Sequence, residues 1–415
     1  MENTINGYKE YEFGIIPKDW EIKKIGEIFD DLKGGSTPSR KIEKYYTGNI
    51  PWITSGELKY KTIYSTVENI TEEAVSDTNL KIYVEGTFFI AITGLEAEGT
   101  RGSCAITGVK ATTNQSCMAF QPKNNFSNLY LYYWYCLYGD YIGLQYTQGT
   151  KQQSLNNKIV SDIEIPVPEL KEQQKIVSIL SSIDEKIEIT DNVIEKTKEL
   201  KKGLMQRLFT KGIGHDRFKN TEIGSIPEDW AVKKLSEVSE FNNGKSHEKN
   251  ISEFGDYIVV NSKFISTEGK IKKYTNDNIC PLEKGDIVMV MSDLPNGKAL
   301  GKCYLIETDS VYSLNQRICS LKSIEVDIVY LFYYLNRNKY FLKYDDGVKQ
   351  TNLRKSEVLD CPVLIPCFNE QKQIASILSS IDEKIDKYES KKEKLQELKK
   401  GLMQKLLTGK IRVKV

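Results

Sequence analysis

The decamer SILSSIDEKI occurs twice in this chain without a change, at residues 178–187 and 376–385. The match widens in both directions. EQQKIVSILSSIDEKIE (172–188) answers EQKQIASILSSIDEKID (370–386), and LKKGLMQRL (200–208) answers LKKGLMQKL (398–406), both at an offset of 198. GTKQ at 149–152 pairs with GVKQ at 347–350, and Pro168 pairs with Pro366. Near the start, GIIPKDWEIKKIGEI (14–28) answers GSIPEDWAVKKLSEV (224–238) at an offset of 210, so the second copy is shorter by a net twelve residues in between. A tandem duplication follows: an opening motif, a variable body and a helix, each present twice. The expected boundaries are a first body at 1–170, a central helix at 171–211, a second body at 212–370 and a C-terminal helix at 371–415.

Both repeated helices carry a 4-3 apolar spacing. It runs through Ile176, Leu180, Ile183, Ile187, Ile194, Leu204 and Leu208 in the first. In the second it runs through Ile374, Leu378, Ile381, Ile385, Tyr388, Leu395, Leu402 and Leu406. Sustained over four to five heptads, this predicts a coiled coil of helices of about 35 residues, about 50 Å long. Thr190, Thr197, Lys201, Lys392 and Lys399 interrupt the seam, and such interruptions either fix register or mark contact with something else. Two equal helices in one chain most simply pair antiparallel, giving an internal pseudo-two-fold axis; pairing between chains is the alternative. Gly212 and Gly409 are expected to stop the helices. Gly203 and Gly401 sit inside the pattern and mark either fraying or the close approach of a neighbour.

At 415 residues with 40% hydrophobic residues, the chain has material for two cores. No apolar run approaches a membrane span, the start MENTINGYKEYEF lacks a signal pattern, and eight scattered cysteines suit a reducing compartment. A cytoplasmic protein is expected. The net charge of +1 excludes a bulk basic field. Its distribution is uneven: 16 basic against 21 acidic residues in 1–170, 9 against 7 in 171–211, 21 against 23 in 212–370, and 12 against 6 in 371–415. The positive excess lies in the repeated helices.

Each body mixes strand-like runs, GTFFI (86–90) and KGDIVMV (284–290), with an aromatic-rich stretch, LYLYYWYCLY (129–138) and VYLFYYLNRNKYF (329–341). That pattern predicts an α/β body in which an aromatic helix packs on a sheet. Nothing spells catalysis. His215 and His247 belong to no metal-ligand array. Gly244-Lys245-Ser246 lacks the earlier glycine of a phosphate loop, and Gly212-Ile213-Gly214 lacks the third glycine of a dinucleotide turn. No nucleophile–base pair is legible, and no adenine-methylase tetrapeptide.

Taken in order, these features resemble the specificity subunit of type I restriction–modification enzymes. The carriers are the IPxDW openings, GGSTPSRKIEKYYTGNIPWITSGEL at 34–58, Thr113-Asn114-Gln115 with Leu314-Asn315-Gln316, the GTKQ and GVKQ segments, the EQ(Q/K)xIxxIL helix starts and the LKKGLMQ helix ends. The second body departs by having Asn242-Asn243-Gly244-Lys245-Ser246 in place of GGSTPS, which implies a different recognition-domain subtype. The resemblance implies two α/β target recognition domains separated by an antiparallel coiled coil. Its implied partners are double-stranded DNA, two methyltransferase subunits and, for cleavage, two restriction subunits. Each domain reads one half of a split, asymmetric site, while S-adenosylmethionine, ATP and magnesium serve the partner subunits and this chain catalyses nothing.

Groove geometry pairs arginine with guanine and asparagine or glutamine with adenine. By loop position and chemistry the candidate DNA contacts are Arg40, Thr93, Arg101 and Gln152 in the first body. In the second they are Lys245, Lys263, Asn296, Lys298, Arg317 and Gln350. Asn114, Gln115, Asn315 and Gln316 occupy equivalent sites in both halves and are expected to serve structure or phosphate rather than sequence discrimination. Trp20 and Trp230 are expected to be packing anchors. The rival function is a coiled-coil scaffold whose bodies bind proteins, favoured by the absence of a basic field.

Overall fold

The computed structural model describes residues 7–97, 99–122, 126–147, 153–295 and 297–414. It divides into two compact units, one formed by residues 1–191 with 390–415 and the other by 192–389. Each unit therefore holds one body, the first half of the helix that follows it and the end of the other helix.

In the first unit Tyr8–Tyr11 and Gly14–Pro17 form a hairpin. Glu21–Lys24 then pairs antiparallel with Glu164–Val167, so the strand after the opening motif is tied to the strand before the helix. Between them lies a five-stranded sheet in the order Lys33–Gly34, Cys117–Phe120, Phe88–Ala91, Cys104–Thr107, Thr62–Ile63. A three-stranded sheet places Ile50–Ile53 between Thr112–Thr113 and Asn69–Ile70. The helix Asn128–Tyr146 covers the larger sheet and buries Tyr130, Tyr133, Trp134 and Tyr135. The aromatic run is thus core, as its spacing predicts.

The second unit repeats the plan. Phe218–Thr221 pairs with Gly224–Pro227, and Ala231–Lys234 with Pro362–Ile365. One four-stranded sheet runs Ser239–Asn243, Ile318–Ser323, Ile287–Val290, Cys303–Leu305, and another runs Ile251–Ser252, Tyr274–Thr275, Tyr257–Val260, Tyr312–Leu314. The helix Ile328–Leu335 buries Tyr330, Leu331 and Tyr333.

The two long helices are Leu170–Lys211, 42 residues, and Phe368–Leu406, 39 residues. They exceed the expected 35 because each begins ahead of the first apolar seam position. Within the first unit Asp184 meets Lys399 at 2.6 Å and Asp191 meets Lys392 at 2.6 Å, so the helices run antiparallel. Within the second unit Lys201 meets Asp382 and Lys198 meets Glu389 at 2.9 Å, again with opposed order. The lysines that interrupt the seam are therefore the register pins. In both units the aspartate also accepts the hydroxyl of the aromatic helix, Tyr133 to Asp184 and Tyr333 to Asp382, each at 2.7 Å. Lys399 and Lys201 lie over the same tyrosine rings, 5.3 and 5.1 Å from their centroids.

Gly212 and Gly409 follow the helices with φ of +61° and +66°, the left-handed stop that glycine accommodates. A Cβ at Gly203 or Gly401 meets nothing within 4 Å, so no neighbour among the described residues explains either glycine. No helix among the described residues is long and apolar enough to cross a membrane.

Candidate nucleic-acid interface

The frame that presents the loops is held by two buried carboxylates. Glu172 accepts the indole N–H of Trp20 at 3.1 Å and two bonds from Arg412 at 2.7 and 2.9 Å, while Arg412 also grips Asp19. Those bonds hold the Asp19 carboxyl below its usual range. Glu370 accepts the Trp230 indole at 2.9 Å, the Ile213 backbone N–H at 2.8 Å and His215 at 3.0 Å. The next residues, Gln173 and Gln371, are also buried. Each spans from a proline carbonyl (Pro168, Pro366) to the backbone N–H that opens the aromatic helix (Ser127, Asp327), at 2.8–3.0 Å. The tryptophans are anchors as expected; the glutamate that locks each one opens the repeated EQ(Q/K)xIxxIL helix starts, but no spacing in the sequence links it to its tryptophan.

On that frame, four segments of each body meet in a rim. In the first unit Gly35 N–H bonds Asn114 O at 2.9 Å and Ser36 N–H bonds Thr113 O at 3.2 Å. Ile92 N–H bonds Ser116 O, and Leu155 N–H bonds Ile92 O, both at 2.9 Å. Thr93 bridges Ser154. In the second unit Gly244 N–H bonds Ile318 O at 3.0 Å, and Lys245 N–H bonds Leu314 O at 3.1 Å. Met291 N–H bonds Arg317 O and Leu353 N–H bonds Met291 O, at 2.9 and 2.8 Å. Ser292–Asp293 pairs with Thr351–Asn352.

Both rims need a glycine at the first segment. A Cβ on Gly35 stands 1.7 Å from Thr113 O, and one on Gly244 stands 1.9 Å from Asn315 O. The second body, which lacks GGSTPS, therefore still supplies the glycine that this backbone contact demands.

The candidate contacts divide sharply. Lys245, Arg317 and Gln350 lie on the second rim, Arg317 on a tight turn with φ of +67°. Gln350 donates to Ser292 Oγ at 2.8 Å. Lys298 sits on the loop that the Asp293 carboxylate folds by accepting Ala299 and Leu300 N–H at 2.6 and 3.0 Å. Lys263 lies on the short helix Ser262–Ser266, which begins beside the rim because Val260 O accepts Asn315 N–H. Lys245, Lys263, Lys298 and Arg317 are exposed, and none has an ion-pair partner among the described residues.

The first unit differs. Thr93 is on its rim, but both terminal nitrogens of Arg40 are engaged by Glu68, and its guanidinium stacks 4.2 Å from the Tyr46 centroid. Arg101 bonds Asp140 at 2.7 Å, against the aromatic helix. Gln152 and Asn296 lie outside the described residues. Of the two histidines, His215 is in the Glu370 clamp, and His247 is buried between Lys245 O and Ser313 Oγ, each at 2.8 Å. Among the described residues no cluster of three metal-ligating side chains occurs.

Residues 17–199 and 227–400 each match the type I restriction modification DNA specificity domain family. The chain belongs to that family. The MjaVIII type I specificity subunit of Methanocaldococcus jannaschii is 32% identical over 434 aligned residues, covering 98% of this chain and 97% of the relative. The EcoR124I/EcoR124II specificity subunit of Escherichia coli is 32% identical over 181 residues, 43% of this chain and 44% of that one. The crystal structure of the type I S subunit from M. genitalium shares the fold, with a TM-score of 0.59 at 18% identity over 94% of this chain and 96% of that one. The type I specificity fold thus accounts for the duplication: two specificity domains in one chain, each with its own rim.

Proposed function

We propose that each unit reads one half of a bipartite, asymmetric site in double-stranded DNA and that the repeated helices dock two methyltransferase subunits. The complex so formed directs adenine methylation and, with two restriction subunits, cleavage. The chain itself is non-catalytic and works in the cytoplasm; S-adenosylmethionine, ATP and magnesium belong to the partners. The observation that carries this reading is the pair of rims. Three corresponding backbone bonds build both, made by Ser36, Ile92 and Leu155 in one and by Lys245, Met291 and Leu353 in the other, yet the rims present Ser36, Thr37 and Gln115 on one and Lys245, Ser246, Gln316 and Arg317 on the other. Common scaffolding with different outward chemistry suits two half-sites of different sequence.

Docking of one partner twice is supported by the decamer. Its inward residues are explained by packing and the Asp–Lys–Tyr contacts. Ser178, Ser182, Glu185 and Lys186 face solvent, as do Ser376, Ser380, Glu383 and Lys384. These solvent-facing side chains, of which Ser182 and Ser380 bond the carbonyl three residues back in their own helix at 2.8 Å, are nonetheless identical in both copies, which suits an identical partner surface. Because phosphate contacts dominate affinity, bodies this poor in net positive charge leave much of the grip to the partners.

The test is methylome sequencing of a host expressing this chain with its cognate methyltransferase, against the methyltransferase alone. A new bipartite adenine-methylated motif that needs this chain is expected. A folded complex with an active methyltransferase and no new motif would favour the scaffold instead. Inserting one heptad into each helix adds about 10 Å at 1.5 Å per residue, or about three base pairs at 3.4 Å each. We expect the methylated motif to gain a correspondingly longer gap with both half-sites intact; an altered half-site counts against the spacer role.

A further inference from the structure

The Asn-Gln pair recurs at equivalent rim positions, and its two residues behave differently. The asparagines face inward: Asn114 Oδ1 accepts Ser116 N–H at 3.0 Å, and Asn315 Oδ1 accepts His247 N–H at 3.3 Å. They shape the turn, as the sequence suggests. The glutamines point the other way. Gln115 is exposed and Gln316 half-buried.

A glutamine amide offers one acceptor and two donors, and what it presents outward depends on what occupies its other end. In the first unit the Thr37 hydroxyl donates to Gln115 Oε1 at 2.6 Å. That leaves the Nε2 amine without a hydrogen-bond partner among the described residues, so the first rim presents donors. In the second unit Gln316 Nε2 donates to Glu248 Oε1 at 2.8 Å. A carboxylate only accepts, so it fixes the amide with its carbonyl Oε1 outward, and the second rim presents an acceptor.

We infer that Gln115 and Gln316 are specificity-determining residues of opposite hydrogen-bond polarity, Gln115 reading an acceptor edge and Gln316 an amine-bearing one. In the major groove the acceptors are O6 and N7 of guanine, O4 of thymine and N7 of adenine; the amines are N6 of adenine and N4 of cytosine, so guanine and thymine offer acceptors alone. Glu248, which only accepts, is the positioning residue that sets the polarity of Gln316, and Thr37 is the positioning residue that holds Gln115 by donating to its Oε1. One residue type at one backbone position thereby reads different bases in the two halves, because the neighbour differs. The inference rests on the DNA-reading function proposed above.

The experiment repeats the methylome measurement on the chain with its methyltransferase, for the wild type and four variants. Gln115→Glu, acceptor-only, is expected to change one base of the first half-site from an acceptor-edge to an amine-bearing base, leaving the second half-site alone. Gln316→Ala is expected to make one position of the second half-site degenerate, with discrimination there falling roughly 5-fold, the low end of the range for a bidentate base contact, because Gln316 offers its Oε1 alone. Thr37→Val and Glu248→Gln keep both glutamines but release their orientation, and each is expected to relax the same position as the matching glutamine change. A wild-type motif that survives unchanged in the variants overturns the inference. So does loss of methylation in all four variants with the complex still assembled, which would make these positions structural. Absence of any motif with the wild-type chain refutes the DNA-reading function itself.

Discussion

Alanine at Gly35 or at Gly244 is expected to destabilise its own unit by about 2–3 kcal/mol, a typical cost of overpacking, and to abolish methylation of the native target. The added methyl would lie 1.7 or 1.9 Å from a backbone carbonyl oxygen, which no rotamer change relieves. The first rim segment must move off the second, and in the first unit the bonds from Gly35 and Ser36 to Asn114 and Thr113 go with it. For a unit of this size, that loss lowers the melting midpoint by about 4–12 °C. Because both half-sites must be read together, a single displaced rim suffices to remove methylation. Calorimetry of the purified chain and methylome sequencing check the two parts separately. Gly203→Ala and Gly401→Ala are the contrast: with open space around each Cβ, they are expected to stabilise the isolated chain by about 1 kcal/mol each. A Gly35 variant that melts and methylates like the wild type would refute the close-approach argument.

The sequence announced the architecture through repetition, and repetition is also where its silence is most instructive. Antiparallel helices, buried aromatic runs and tryptophan anchors all follow from periodic or duplicated patterns, which are local. The lysines in the helical seam were visible as interruptions, but their aspartate partners were not. Asp184 and Lys399 are 215 positions apart and meet only once the antiparallel register is known. The same limit governed the choice of DNA contacts. Arg40 is a candidate by its chemistry, and the structure pairs it with Glu68 and sets it over the Tyr46 and Trp52 rings, partners that no spacing rule reveals. Lys245 and Arg317 are placed by backbone instead, Lys245 by its bridge to Asn315 and Arg317 by a tight turn. The sheets were least legible. Strands of two residues such as Thr112–Thr113 and Thr62–Ile63 carry no periodicity, and their pairings are distant and parallel.

The repeated glutamate shows how far a duplicated residue can be trusted as a physical argument. Glu370→Leu is expected to destabilise the second unit by about 3 kcal/mol. It orphans three donors at once: the fully buried Trp230 indole, the Ile213 N–H and His215. An unsatisfied buried donor costs about 1–3 kcal/mol. Glu370→Gln keeps the shape and one carbonyl acceptor but turns an amine toward those donors, so a loss of about 1–2 kcal/mol is expected. In the first unit Glu172→Leu orphans the Trp20 indole and cuts Arg412 back to Asp19. The Arg412 side chain is 43% exposed, so water compensates it and its share of the cost is small. The second-unit change should therefore be the more damaging of the pair. Amide hydrogen exchange resolves the two sites within one molecule, reporting residues 14–28 and 224–238 separately. Faster exchange confined to 224–238 in Glu370→Leu, and to 14–28 in Glu172→Leu, is the expected result. Equal protection in wild type and variants would mean that packing of the indoles alone, without their carboxylates, holds the frame on which both rims are built.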